Sequence, residues 1–136
     1  MEKGTVQAVN FTVNGDDRGS LIALEALSDK VPFEIKRVYY IYGTRPGVVR
    51  GRHAHYTLKQ VLVPVSGSCD IEFFDGKERQ VFHLDNPAQG LLIDGFIWRE
   101  MKNFSPDCVL MVLASDHYTE KDYVRDYDAF LEQVCK

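Results

Sequence analysis

Turn-forming residues cut this chain into short runs, and that punctuation leaves few folds open. The turns are NGDDRG at 14–19, YGTRPG at 42–47, SGS at 66–68, DGKE at 75–78, DNPAQG at 85–90 and SPD at 105–107. Gly, Pro, Asn, Asp and Ser recur there because they supply positive φ, a fixed φ or local side-chain hydrogen bonds. Between them lie TVQAVNFTV, IKRVYYIY, QVLVPV, CDIEFF, RQVFHL, GLLI and CVLMVLA, rich in Val, Ile, Phe and Tyr. Short β-formers at this spacing predict an all-β antiparallel sandwich or barrel, and the Asp75-Gly76 pair between CDIEFF and RQVFHL marks a hairpin.

The end of the chain changes period. Tyr123, Tyr127, Phe130, Leu131 and Val134 follow the i, i+4, i+7, i+8, i+11 spacing of a helical stripe, and Thr119 with Asp122 resembles a capping box. The pattern predicts one amphipathic helix over 120–134, packed on the sheets. With 136 residues and no repeat, linker or low-complexity run, the expectation is a single domain over 1–136. The start, MEKGTVQAVNF, has no basic segment followed by an apolar one, and no run approaches the roughly 18 apolar residues of a membrane span. A cytoplasmic protein without a membrane partner is therefore expected. Cys69, Cys108 and Cys135 are odd in number and lack paired spacing, which argues against a disulfide framework or a zinc site. Cys69 and Cys108 read as small core residues.

Charge is distributed unevenly. The chain carries a net −4, yet Ile35 to Cys69 contains no Asp or Glu and six cations: Lys36, Arg37, Arg45, Arg50, Arg52 and Lys59. The remainder then stands at −10, which argues against nucleic acid, while the acid-free segment suggests an anion bound locally.

That segment also holds the chain's strongest chemical signal, His53-Ala54-His55. Imidazoles at i and i+2 of a strand point to one side of the sheet, so both can face one cavity. Their frame is Gly47, five residues, His-x-His, four residues, Gln60, six residues and Gly67. It resembles the first motif of the cupin jelly rolls, in which a Glu stands where this chain has Gln60. In metal-binding cupins that Glu and a third His from a second motif complete the site; the corresponding stretch here, GLLIDGFIWREMKN from Gly90 to Asn103, offers Arg99 and no His. A neutral amide is a weak ligand for a divalent cation, and a guanidinium has no free lone pair. No metal is expected, and histidines without one are free to move protons near neutral pH.

Six strings in order extend the likeness along nearly the whole chain: RGSL at 18–21, PFEIKRVYYIYG at 32–43, RGRHAH at 50–55, QVLVPVSGS at 60–68, GLLIDGFIWREM at 90–101 and CVLMVLASDHYTEKDYVRDYDAF at 108–130. Together they resemble the sugar 3,4-ketoisomerases that act on TDP-4-keto-6-deoxyglucose. The resemblance implies a cupin jelly-roll barrel, a homodimer, no metal or redox cofactor, and a place in deoxysugar biosynthesis. It puts His53 at the carbon base and leaves His55 to support proton transfer or orient the sugar. Tyr39, beside Arg37 on one strand face, could pass a proton to O3 or O4, and Arg37 and Arg50 could bind the diphosphate. Gln60, Trp98, Arg99 and Arg18 complete the expected substrate contacts, the last two at positions that vary among these enzymes. Rival expectations are a 3- or 5-epimerase on the same substrate class and a non-catalytic cupin that binds a sugar nucleotide.

Overall fold

The computed structural model describes residues 1–134, so Cys135 lies outside the described residues. The elements are β1 (Thr5–Asn10), β2 (Asn14–Asp16), β3 (Gly19–Leu21), β4 (Arg37–Tyr42), β5 (Arg50–His55), β6 (Lys59–Ser66), β7 (Cys69–Phe74), β8 (Arg79–Leu84), β9 (Gln89–Asp94), β10 (Trp98–Lys102), β11 (Val109–Ala114), β12 (Tyr123–Val124) and the helix α1 (Tyr127–Val134). Every apolar run found in the sequence supplies a strand.

The strands form two five-stranded antiparallel sheets, β1-β9-β6-β11-β4 and β12-β5-β10-β7-β8, with β2 and β3 as a separate hairpin. The Asp75-Gly76 turn joins β7 to β8 in register from Phe74↔Arg79 to Cys69↔Leu84, as expected. Among the described residues no ladder joins the two large sheets, so the jelly roll is a sandwich with open edges, not a hydrogen-bonded closed barrel.

Alternation along the strands builds three apolar layers. Leu62, Leu91, Leu110 and Val112 from the first sheet interdigitate with Cys69, Ile71, Phe73 and Met101 from the second. The opposite face of the first sheet, Val61, Val63 and Leu113, is covered by Val31 and Phe33 from the segment between β3 and β4. The outer face of the second sheet, Ala54, Trp98 and Val124, lies beneath Phe130 of α1. Each of these buried aliphatic or aromatic side chains contributes on the order of 1.5–3 kcal/mol relative to exposure. Cys69 and Cys108 are free, buried thiols in the central layer, as read from the sequence.

The expected helix over 120–134 is half that length. Glu120–Asp122 forms one 3-10 turn, Tyr123 and Val124 pair with His55 and Ala54 of β5, and only Tyr127–Val134 is α-helical. Thr119 makes no side-chain cap; the cap belongs to Asp126, whose Oδ1 accepts the Asp128 N–H at 3.1 Å. Strand pairing with β5 has overridden the local helical period at Tyr123, while Tyr127, Phe130, Leu131 and Val134 keep their stripe against the sheet. Among the described residues no helix is long and apolar enough to cross a membrane.

Candidate active site

The inward faces at one end of the sandwich converge on the two histidines. Arg37 and Tyr39 come from β4, Gln60 from β6, His53 and His55 from β5, Arg99 from β10 and Tyr123 from β12. The alternation that sends Leu62 inward on β6 also sends Gln60 inward, and the one that sends Met101 inward on β10 also sends Arg99 inward.

A β-bulge sets the aim of β5. Arg99 pairs with His53 and Glu100 pairs with Gly51, so Arg52 is left over on β5. Gly51 and Arg52 both take positive φ, 83° and 55°. On an unbroken strand Arg50 and His53, three apart, would face opposite ways; the extra residue puts both on the cavity side, across from Met101 and Arg99. The same bend places His53 Nδ1 2.9 Å from the Gly51 carbonyl.

Hydrogen bonding fixes both imidazole tautomers. The Gly51 carbonyl can only accept, so His53 carries its proton on Nδ1 and its lone pair on Nε2. Burial, followed by the positive charge of Arg99, lowers His53 to about 4, so the ring is a free base at neutral pH. His55 Nδ1 lies 3.1 Å from Asp122 Oδ2. Burial first, then Arg99, pushes His55 well below the usual imidazole range despite that carboxylate. The contact is therefore a hydrogen bond from a neutral ring rather than an ion pair, and His55 Nε2 is buried without a partner among the described residues. Asp122 is itself held by the Thr57 N–H at 2.9 Å and the Thr57 hydroxyl at 3.1 Å.

Aromatic rings and guanidinium groups complete the cluster. The His53 and His55 rings meet edge-on with centroids 4.7 Å apart, and Tyr123 contacts them at 4.9 and 4.3 Å. Arg125 lies 4.2 Å over Tyr123, and Arg37 lies 5.3 Å over Tyr39. Arg99 is fully buried and donates to Gln60 Oε1 and to the Ile97 carbonyl, but has no carboxylate partner among the described residues. Burial lowers Arg99 to about 10, which leaves it charged at neutral pH. Gln60 Nε2 donates to the Tyr39 hydroxyl at 3.0 Å. Burial raises Tyr39 above the ordinary phenol value, so it keeps its proton at neutral pH.

These side chains border a cleft of about 550 Å³, lined by Tyr39, His53 and four arginines, Arg37, Arg50, Arg52 and Arg125, and by no Asp or Glu. His55, Gln60 and Arg99 do not line it; they stand behind its wall. Two expected substrate contacts lie elsewhere. Trp98, next to Arg99 on β10, points to the other face of the sheet, where it packs on Tyr127 and Phe130 and donates to Glu100. Arg18 lies in the exposed β2–β3 turn, bonded to Asp16 at 2.6 Å. Sequence reasoning gave no site role to Asp122, read as part of a capping box, to Tyr123, assigned to the packing stripe, or to Arg125. The acid-free cluster of cations was the one signal pointing to this wall of the cleft, and it stops short of Arg125. Among the described residues no three His, Cys, Asp or Glu side chains converge to hold a metal ion.

Against this geometry, a family model described as "FdtA: WxcM-like, C-terminal" matches residues 4–135. The chain belongs to the FdtA family. It is 49% identical over 130 residues to the TDP-4-oxo-6-deoxy-alpha-D-glucose-3,4-oxoisomerase of Aneurinibacillus thermoaerophilus, covering 96% of this chain and 93% of that one. A 3,4-ketoisomerase from Helicobacter canadensis is 51% identical, with a TM-score of 0.92 and 96% and 98% coverage of the two chains. The FdtA-like fold also superimposes on QdtA, a sugar 3,4-ketoisomerase from Thermoanaerobacterium thermosaccharolyticum solved in complex with TDP, at 40% identity, TM-score 0.93 and 96% and 94% coverage. The ketoisomerase resemblance read from six sequence strings is thereby established, and with it the isomerase class.

Proposed function

We propose that this chain converts a TDP-linked 4-keto-6-deoxyhexose to its 3-keto isomer, without metal or redox cofactor. One observation carries the reading: His53, a neutral base, and Tyr39, a protonated phenol, border the same acid-free, arginine-lined cleft.

The C3 proton is acidic because it is alpha to the C4 carbonyl. His53 Nε2 removes it, the electron pair forms the C3–C4 double bond, and the negative charge collects on O4. Tyr39 donates its proton to O4 and takes the proton of the C3 hydroxyl, giving an enediolate with the charge on O3. Collapse of O3 to a carbonyl returns the pair to C4, which takes a proton from the imidazolium. No hydride moves. Arg99 and Arg37 supply the positive field in which the enediolate forms, worth most in a site shielded from water. Arg37, Arg50, Arg52 and Arg125 suit a diphosphate, and the exposed rim positions of Arg50 and Arg125 suit its outer oxygens. His55 acts behind His53 and does not hold the sugar, and no role in this chain's own cleft is assigned to Trp98 or Arg18.

Incubation with TDP-4-keto-6-deoxyglucose and an aminotransferase specific for 3-keto sugars tests the reading. An isomerase yields the 3-amino sugar; a 3- or 5-epimerase or a binding protein yields none, and that result would refute it.

The working unit we propose is a homodimer in the cytoplasm. The outer face of the first sheet exposes Val38, Tyr40, Tyr42 and Val65 beside an apolar groove of about 530 Å³ lined partly by Ile22, Val63 and Met111, an apolar face suited to a second copy. The free Cys69 and Cys108 thiols suit a reducing compartment. Sedimentation at micromolar concentration is expected to give about 31 kDa, twice the 15.6 kDa chain, and an active monomer would exclude the dimer.

A further inference from the structure

We propose that Gln60, although it does not touch the cleft, sets the direction in which Tyr39 offers its proton. The inference rests on the reading of Tyr39 as the carrier between the sugar oxygens.

Donor and acceptor chemistry fixes the relay. A guanidinium has hydrogen-bond donors and no acceptor, so the end of the Gln60 amide that faces Arg99 Nη1 must be Oε1. The other end is then Nε2, which also has only donors, and it lies 3.0 Å from the Tyr39 hydroxyl. The phenol oxygen is thus an acceptor in that contact, and its own hydrogen must point elsewhere. Among the described residues no group accepts a hydrogen bond from that hydroxyl, while the ring lines the cleft. Its proton is left for a ligand. Gln60 is buried to 1% exposure, as is Arg99 to 0%, so water does not compete for either end of the amide.

A carboxylate at this position would reverse the arrangement. Glu accepts on both oxygens: one would take Arg99 and the other would take the Tyr39 proton, turning it away from the cleft and neutralising the Arg99 charge. The amide at position 60 is therefore a requirement of the proton transfer, not only the loss of a metal ligand. Gln60 is a positioning residue that acts through Tyr39.

Five variants test this: Gln60→Glu, Gln60→Met, Tyr39→Phe, and each Gln60 change combined with Tyr39→Phe. All are assayed in chelator, because a carboxylate near two imidazoles invites a divalent cation. Gln60→Glu is expected to bind TDP as the parent chain does, with kcat lower by about 10²-fold or more. The Tyr39 ring carbon, followed by NMR, is expected to titrate at higher pH beside the new charge. In the Tyr39→Phe background the same change is expected to cost nothing further. Gln60→Met, which leaves the phenol free to rotate, is expected to lose less, again only when Tyr39 is present; it decides the matter if Gln60→Glu does not fold. Wild-type turnover of Gln60→Glu beside an impaired Tyr39→Phe overturns the inference. So does a loss of equal size in both backgrounds for either Gln60 variant. If Tyr39→Phe itself turns over normally, the Tyr39 reading fails and takes this one with it, a result distinguishable from the others because no Gln60 variant is needed to obtain it.

Discussion

His55 Nδ1 and Asp122 Oδ2 lie 3.1 Å apart, and that contact decides which nitrogen of a buried imidazole is left without a proton. Asp122 serves three donors at once, His55 Nδ1–H on one oxygen and the Thr57 N–H and hydroxyl on the other. An amide in its place has one acceptor too few. Asp122→Asn is therefore expected to leave a partly buried donor unsatisfied, lowering stability by about 1–3 kcal/mol, or to force His55 into the other tautomer. Nitrogen-15 spectra of the His55 ring distinguish the two, and displacement of the imidazole is expected to lower kcat by up to about 10²-fold. Unchanged ring shifts and unchanged kcat would show that Asp122 has no part in setting the tautomer.

Replacing His53 removes the base but not the pocket. His53→Asn is expected to fold, to bind TDP, and to turn over about two to four orders of magnitude more slowly. In deuterated water the parent chain introduces deuterium at C4 of the product, whereas the variant shows neither washout at C3 nor incorporation. Normal exchange in this variant, with exchange abolished by His55→Asn, would transfer the base to His55.

The pH dependence follows from the same imidazole. Burial and Arg99 hold His53 at about 4, below the ordinary value of 6.5, so the working free base persists until the pH approaches 4. The acid limb of kcat/KM is expected near there, not near 6.5. Stability moves in the same direction: between about 6.5 and 4 the unfolded chain binds the proton and the folded chain does not, so Tm is expected to be highest above 6.5 and to fall as pH drops through that window. Arg99→Met removes a positive neighbour, and the acid limb is then expected to move to higher pH.

Chelation is expected to leave turnover intact. Gln60 and Arg99 bond to each other where a carboxylate and a third imidazole would be required around a cation. Activity lost on exhaustive dialysis against chelator and regained with one transition metal would overturn the metal-free mechanism.

Much of this arrangement was legible in the chain because strand alternation is a two-state choice. Arg37 with Tyr39, and His53 with His55, share faces as their i, i+2 spacing requires, and the Gly47-to-Gly67 frame contains Arg50, Arg52 and His53 of the cleft. Arg50, expected at a diphosphate from its charge, lines the cleft, although simple alternation would put it opposite His53; the Arg52 bulge reconciles the two. Trp98 shows the converse error, since adjacency to Arg99 along a strand means the opposite side of the sheet. Tyr123 was hidden for a different reason. Its helical spacing to Tyr127 is real, but the backbone at Tyr123 is used by β5, a long-range pairing that local periodicity does not reveal.

Tyr39 is carried by β4 at the edge of one sheet and His53 by β5 in the other, and among the described residues no ladder connects the sheets. Their separation is therefore set as in a clamp, by the thickness of what is gripped between the jaws, here Leu62, Phe73, Leu110 and Val112. Shaving one methyl from that filling, as in Ile71→Val, costs about 0.5–1.5 kcal/mol of stability, yet it also lets the jaws close on a different gap. Warming works on the same filling, so turnover should decline some degrees before either sheet unravels.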